Sequence, residues 1–318
     1  MTTGAGTEIP EVVGIHGLRF RHYIGPEDLP AMMAIARAAR TAVGLPEFST
    51  LDGMVNQYAH LTNCDPLRDV LVAEVDGAPV AYGRSWWADR NGGERAFEAL
   101  CHVKPDLLGR GIGGALLAAQ DRHRLAQARS MAAELGGRPA VLTAYIDGPR
   151  PGGLALMAAA GYRLARRHAH MERATFDAIP DQPLPDGIEL LPVVPGDVAA
   201  LRRAFEVDAE VFRDHWGDVD DSETAWQSWL GDPDIQPGLW VVAVDAATGE
   251  TAGQILNYVQ PDADGRLVGW TESIAVRRPY RRRGLASAMA WLLFIGTLLV
   301  TLLIFRFLGR RVYYEASS

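Results

Sequence analysis

A run of arginines followed by a glycine near residue 284 has the clearest chemical meaning in the sequence. After an apolar run that includes Ala275 and ends at Val276, the candidate residues are Arg281, Arg282, Arg283, Gly284, Leu285 and Ala286. A strand, a glycine-containing turn and a helix in this order point successive backbone N–H groups at one spot, and the helix dipole adds partial positive charge there. Small residues let a ligand approach the backbone closely. The segment therefore predicts a pyrophosphate site.

A second turn of the same kind lies in the first half of the chain. Its candidate residues are Val103, Arg110, Gly111, Ile112 and Gly113. Counted from the end of the preceding apolar run, Leu108 takes the position of Arg281. The first turn lacks a polar residue at this position, although Arg110 can substitute in part. We interpret it as a weaker or altered version of the same site.

The strands before the two turns carry groups suited to proton transfer. Glu272 is the candidate general base in the second half, and Glu98 is a similar but weaker candidate in the first. Each could equally be a paired or solvated strand carboxylate. His102 could relay protons, with an ordinary strand histidine as the alternative, and Cys101 is interpreted as a small buried apolar residue.

Two half-chains with the same order of elements must position these residues. Each half begins with a short strand and an amphipathic helix, continues through a second helix and a hairpin, and reaches a long strand, 95–103 or 267–276, before its glycine turn. Only the first half continues with a helix from 113, a strand at 140–146, a helix at 154–160 and a final strand from 162 to about 175. The order predicts α/β modules, each with a central antiparallel-to-mixed sheet flanked by helices. The predicted domains are a complete module at 1–176, a proline-rich linker at 177–187, an incomplete module at 188–289 and a hydrophobic tail at 290–318.

The pattern Arg-x-x-Gly-x-Ala, formed by Arg281, Gly284 and Ala286, resembles the acyl-CoA signature of the GNAT superfamily of N-acyltransferases. The whole chain resembles two such modules in tandem. The resemblance implies that the turn holds the pyrophosphate of acetyl-CoA and that the strand end near Ala275 and Val276 lines the pantetheine arm. It also implies direct transfer of an acetyl or other acyl group to an amine of a small molecule or protein, without a metal.

The first module departs from the family pattern at Leu108, Met157 and Arg150. Met157 stands four residues before the Gly161-Tyr162 pair, where the family often has a catalytic tyrosine, and the second half lacks the corresponding segment. These departures leave an alternative open, in which the chain is a non-catalytic acyl-CoA-binding or scaffold protein, with or without a membrane tether.

The stretch from Phe212 to Gly217 resembles the acceptor-side region of tandem actinobacterial GNAT proteins of the mycothiol synthase group. The resemblance implies that His215 and Trp216 contact the acyl acceptor. Packing at the end of a helix is the alternative for both residues.

The segment 285–305 contains no charged residue and is flanked by arginines. Its length and composition are those of a membrane-spanning helix. Two alternatives are a soluble helix running into a buried strand, and a change of the reading frame or of the gene end near residue 290.

The composition of the chain limits the classes of partner that we expect it to bind. The 318 residues suit two domains of ordinary size, and the net charge of −8 argues against nucleic acid as a main partner while it is compatible with a cationic amine. Two cysteines form no disulfide framework, and residues 1–10 have no apolar core typical of a secretory signal. We therefore expect a cytoplasmic protein, with membrane association through 285–305 as the open question.

Overall fold

The computed structural model describes residues 14–45, 50–146, 150–168, 183–261, 266–286 and 289, which divide into two compact units. The first unit contains the described residues up to Arg167, the segment Arg213–Asp234, and Pro261 with Arg266. The second unit contains the rest. The helices are α1 Leu29–Thr41, α2 Leu51–Ala59, α3 Pro66–Asp69, α4 Ile112–Ser130, α5 Ala132–Leu135, α6 Pro151–Ala159, α7 Val198–Phe212 and α8 Glu223–Leu230. The strands are β1 Leu18–His22, β2 Val70–Val75, β3 Ala78–Asp89, β4 Arg95–Val103, β5 Ala140–Ala144, β6 Ile188–Pro192, β7 Val241–Asp245, β8 Thr251–Pro261 and β9 Leu267–Val276.

The first unit is built on a mixed sheet of order β1-β2-β3-β4-β5. Its first three strand pairs are antiparallel, and β4 pairs with β5 in parallel. The parallel pairing ends at Ala99 and Ala144, whereas β4 continues to Val103. The two strands therefore separate over the last residues of β4, directly before the first glycine turn.

Helices cover both faces of this sheet because side chains alternate along β4. Leu100 packs in one apolar cluster with Leu29 and Ile35 of α1. Cys101 and Val103 pack in a second cluster with residues of α4. Residues with even numbers at this end of β4 therefore face α1, and those with odd numbers face α4.

The second unit repeats this arrangement with a sheet of order β6-β7-β8-β9, and α7 contacts β9. The β6–β7 and β7–β8 pairs are antiparallel. The first hairpin of each unit has a shift in strand register at a corresponding place, after Ala73 and after Ala243. The predicted fold class, mixed α/β modules in tandem, is confirmed.

A buried arginine joins β4 to β5 where they are still paired. Arg124 of α4 is fully buried, and its Nη1 donates to the carbonyls of Phe97 at 2.8 Å and Thr143 at 2.6 Å. Its Nη2 donates to Asp121 at 2.5 Å and to the Tyr162 hydroxyl at 2.7 Å. Burial raises the pKa of Tyr162 to about 12. Tyr162 of the Gly161-Tyr162 pair thus belongs to a network that holds the parallel strands together.

A segment that follows the linker in sequence packs with the first unit. The segment Arg213–Asp234, which includes α8, is attached there by side-chain hydrogen bonds. These bonds join Thr50 to Asp234, Asn56 to Ser228, Thr62 to Asp220 and Asn91 to His215. The compact unit therefore includes residues that the sequence analysis assigned to the second module.

The structure corrects the expected last strand of the first module. Residues 162–168 form no strand, and residues 169–175 lie outside the described part of the chain. Leu164 is exposed and charged Arg163 and Arg166 flank it, so alternation along this stretch produces no apolar face.

The hydrophobic tail lies almost entirely outside the described residues. Of the segment 285–305, the structure describes Leu285, Ala286 and Met289. Among the helices it does describe, none combines the length and the apolar character that crossing a membrane requires. The membrane-spanning interpretation of the tail therefore stays a prediction.

Candidate functional site

The two glycine turns have the same backbone conformation. Each strand leads into a short 3-10 turn, at Pro105–Leu107 and at Arg278–Tyr280. The next residue is extended in both cases, with φ and ψ of −63° and 151° at Leu108 and of −68° and 156° at Arg281. The structure therefore places Leu108 and Arg281 at equivalent positions, as the sequence spacing indicates.

Both turns then pass twice through positive φ. In the first turn φ is 74° at Gly109 and 89° at Gly111, and in the second it is 65° at Arg282 and 78° at Gly284. Gly111 is the N-cap residue of α4 and makes no side-chain cap. A concave run of backbone N–H groups at an uncapped helix start is the arrangement that binds phosphate groups.

The left-handed conformation of Arg282 is costly, because a side chain with a Cβ atom is strained there. We expect Arg282→Gly to raise the free energy of unfolding by about 0.5–1 kcal/mol, net of the larger entropy of glycine in the unfolded chain. The neighbouring Arg283→Gly, where φ is not positive, is the matched control and should be neutral or destabilising. Urea denaturation distinguishes the two, and equal destabilisation of both variants would contradict the expectation.

The arginines of the second turn differ in their surroundings. The Nε atom of Arg281 donates to the carbonyl of Val276 at 2.8 Å, so this side chain folds back on the turn. Arg282 and Arg283 are exposed, and the guanidinium of Arg283 lies 5.7 Å from the ring centre of Tyr280. Arg110 of the first turn is also exposed.

Several predicted cofactor-binding side chains are part of the core. Val103, Ile112, Leu285 and Ala275 are buried, and Val276 is half-buried. Such residues can contribute to a coenzyme site through their backbone groups. A Cβ atom added at Gly113 would lie 3.8 Å from side-chain atoms of Leu156 and Val103, which is an ordinary contact distance. Ala286 is exposed.

Glu98 lies at the place where β4 and β5 separate. It pairs across the sheet with Thr143, is 2% exposed, and receives a hydrogen bond of 2.9 Å from Nη2 of Arg90. Burial raises the pKa of Glu98, and the interaction with Arg90 opposes this shift. Tyr145, directly after β5, hydrogen-bonds the carboxylate. Glu98 is thus a buried and ion-paired acid.

Trp216 lies in the first unit, close to this acid. Its ring centre lies 5.4 Å from the guanidinium group of Arg90 and 4.3 Å from that of Arg166. His215 is exposed, with its ring 5.3 Å from that of Trp216. The structure therefore brings the two predicted acceptor-side residues to the surroundings of Glu98, whereas Glu272 belongs to the second unit.

Glu272 has a different environment from Glu98. It is exposed, and its Oε2 accepts a hydrogen bond of 2.7 Å from Nε1 of Trp270. Counted back from the strand ends, the counterpart of Glu98 is Thr271, so Glu272 projects from the opposite face of its strand.

Asp208 is a half-buried acid that sequence reasoning missed. It lies on α7, and the hydroxyl of Ser273 on β9 donates to its Oδ1 at 2.5 Å. Burial raises the pKa of Asp208, and hydrogen bonds from Ser273 and Gln254 oppose this shift. Ser273 is 5% exposed and shares a strand face with Ala275, which precedes the coenzyme turn.

A signal for Asp208 was present in the sequence. The buried residues Leu201 and Ala204 lie seven and four positions earlier on α7, so helical spacing places Asp208 on the same face. At the position of Ser273, the first unit has Leu100, which packs against α1. The apolar contact between Leu100 and α1 in the first unit is thus replaced in the second unit by the hydrogen bond between Ser273 and Asp208.

The surroundings of Cys101 and His102, the remaining candidates for chemistry, are those of residues that pack in the fold. Burial raises the pKa of the Cys101 thiol to about 12, so little thiolate is present at neutral pH. The ring of His102 lies 5.3 Å from that of Tyr82 on β3. Within the described residues, no three His, Cys, Asp or Glu side chains are grouped to hold a metal ion.

Known proteins are similar to the chain in sequence and in fold. It is 32% identical over 169 residues to a mycothiol acetyltransferase of Kineococcus radiotolerans, covering 52% of this chain and 49% of that protein. It is 31% identical over 208 residues to a mycothiol acetyltransferase of Clavibacter michiganensis, covering 63% and 54%. The chain therefore spans about half the length of the curated relatives it matches.

Two solved structures have the same fold over most of their length. A GCN5-related N-acetyltransferase from Sphaerobacter thermophilus matches 90% of this chain and 83% of its own, with a TM-score of 0.57 and 23% identity. A tandem GNAT protein from the clavulanic acid biosynthesis pathway matches 89% and 86%, with a TM-score of 0.52 and 19% identity. The model of the acetyltransferase (GNAT) family matches residues 30–135 and again 201–294. The predicted resemblance is confirmed in both halves, and the chain belongs to the acetyltransferase (GNAT) family.

Proposed function

We propose that the chain is an N-acetyltransferase that transfers an acetyl group from acetyl-CoA to the amine of a small molecule. The observation that carries this proposal is the coenzyme turn of the second unit, which follows a strand whose inner face contacts the half-buried Asp208. The turn offers backbone N–H groups and exposed arginines to a pyrophosphate, and the acid offers a proton acceptor.

The reaction needs a base because an amine is protonated at neutral pH. We infer that Asp208 accepts this proton, since its raised pKa brings the carboxylate closer to the working pH than that of an ordinary aspartate. The free amine attacks the thioester carbonyl, a C–N bond forms, and the C–S bond breaks. The departing thiolate of coenzyme A then takes up a proton.

A structural role suits the first module better. Its turn has exposed Leu108 in the place of Arg281, and its buried acid Glu98 is held by Arg90. Protonating Glu98 would remove the ion pair between two largely buried side chains, and among the described residues Arg90 would keep Glu94 as its salt-bridge partner. We infer that the first module has a structural role and that its turn binds coenzyme weakly.

The acceptor is proposed only as a class. A net charge of −8 is compatible with a cationic amine. Because the curated relatives are named mycothiol acetyltransferases, the acceptor of those enzymes is one member of the amine panel that the experiment requires.

The test combines acetyl-CoA titration with release of the free coenzyme A thiol in the presence of the amine panel. We expect saturable binding and amine-dependent thiol release. Binding without turnover for any amine would favour a non-catalytic acyl-CoA-binding protein. Absence of binding would contradict both functions.

One substitution in the turn has a matched control. We expect Gly284→Val to weaken acetyl-CoA binding at least tenfold, because a β-branched residue cannot hold its φ of 78° without strain and the turn must shift. Gly249→Val introduces the same strain at a φ of 73° in the β7–β8 hairpin. If both variants bind acetyl-CoA equally well, the turn is not the coenzyme site.

A further inference from the structure

Arg281 is the point at which the two coenzyme turns differ most in chemistry. Its Nε donates to the carbonyl of Val276, the last residue of β9. The bond closes a loop between the strand end and the turn, joining residues that are five positions apart. Inside this loop, the backbone N–H of Tyr280 bonds the carbonyl of Arg277 at 2.9 Å, so the side chain lies across a segment that is already hydrogen-bonded.

The first turn shows what the loop is like without this bond. There the backbone N–H of Leu107 bonds the carbonyl of Lys104 at 3.0 Å, which matches the bond between Tyr280 and Arg277. Leu108 has the backbone conformation of Arg281, but its side chain has no hydrogen-bond donor and the residue is 54% exposed. The backbone can therefore adopt the conformation unaided, and the arginine adds a restraint on it.

We propose that Arg281 is a positioning residue that holds the coenzyme turn in its binding conformation by hydrogen bonding to Val276, rather than a phosphate ligand that acts through its charge. The proposal rests on the proposed function of the turn. A turn that is already ordered loses less conformational entropy on binding than a mobile one. The first turn, which lacks the restraint, must pay that entropy cost when it binds.

The two roles of Arg281 can be separated atom by atom. In Arg281→Gln, the amide nitrogen is attached to Cδ, as Nε is in arginine, so the donor is kept and the charge is lost. In Arg281→Lys, the charge is kept but no donor is attached to Cδ. We expect the glutamine variant to bind acetyl-CoA within about threefold of the unchanged chain, and the lysine and leucine variants to bind about tenfold more weakly. Full binding by the lysine variant with loss in the glutamine variant would overturn the proposal.

A readout without ligand keeps this test separate from the test of function. Hydrogen exchange at the Tyr280 amide should accelerate about tenfold in Arg281→Lys and Arg281→Leu and remain unchanged in Arg281→Gln. As a separate variant, Leu108→Gln should slow hydrogen exchange at the Leu107 amide of the first turn. Unchanged exchange in all four variants would overturn the proposal even if acetyl-CoA binds. If the hydrogen-exchange rates change as expected but acetyl-CoA does not bind, the proposed function is contradicted and the positioning role of Arg281 is supported.

Discussion

Asp208→Asn should lower kcat for the proposed acetyl transfer by about 10²–10⁴-fold, the range that loss of a general base typically produces. The amide keeps the shape of the side chain and can still hydrogen-bond Ser273, but it cannot accept the proton of the acceptor ammonium. The affinity for acetyl-CoA should stay within about threefold, because Asp208 lies on α7 and not in the coenzyme turn. Steady-state thiol release and acetyl-CoA titration on the same preparations measure both quantities.

Glu272→Gln is the matched control for this substitution. Glu272 lies on β9 like Ser273, one residue away, but on the opposite face, where it is exposed. We expect its kcat to stay within a few-fold of the unchanged chain. A large loss in Glu272→Gln with little effect of Asp208→Asn would assign the base to Glu272 instead.

The pH dependence provides a second check on Asp208. Burial raises the pKa of this carboxyl, and only the ionised form can take a proton. The rate should therefore fall as pH decreases through an apparent pKa above the ordinary aspartate value of about 3.9. For stability the sign is opposite, because a raised folded-state pKa contributes stability that is present at low pH and lost as pH rises through it. We expect Asp208→Asn to be the more stable protein at neutral pH.

Arg124→Met should lower the free energy of unfolding of the first unit by about 3–5 kcal/mol. The substitution removes the donor that the carbonyls of Phe97 and Thr143, the Asp121 carboxylate and the Tyr162 hydroxyl share, and of these the last two can still bond each other. Chemical denaturation, followed together with hydrogen exchange of β4 and β5 amides, measures the effect where it originates.

The control for Arg124 lies on the same helix. Arg122 is exposed, so Arg122→Met removes the same charge from α4 without touching the network, and its effect should stay within about 0.5 kcal/mol. A similar small effect of Arg124→Met would mean that water or other donors replace the guanidinium, and the network would then not hold β4 to β5.

The elements before the turns could be predicted because they are specified by local patterns. The strand bounds Arg95–Val103 and Leu267–Val276 match the prediction, since apolar runs ended by a turn signal define them within a short window. The equivalence of Leu108 and Arg281 also follows from spacing alone. A repeated order of elements strengthened both inferences.

The assignment of the acids depended on contacts between distant parts of the chain. Glu98 and Glu272 look alike in sequence, but only the fold shows that Arg90 neutralises the first and that the second is exposed on the other strand face. Asp208 becomes a candidate because Ser273, far away in sequence, lies opposite it. Helical spacing showed that Asp208 is on the inner face, but it could not show which group it contacts.

The attachment of Arg213–Asp234 to the first unit bears on how the chain could be divided, by proteolysis or by recombination with other genes. Cleavage in the linker would separate Thr50, Asn56 and Thr62 covalently from the residues that bond them, and α8 would stay attached only through noncovalent contacts. The two halves are therefore repeats in sequence but not interchangeable parts. A fragment that ends at the linker should be less stable than the same residues in the whole chain, and adding the rest of the chain in trans should restore part of that stability.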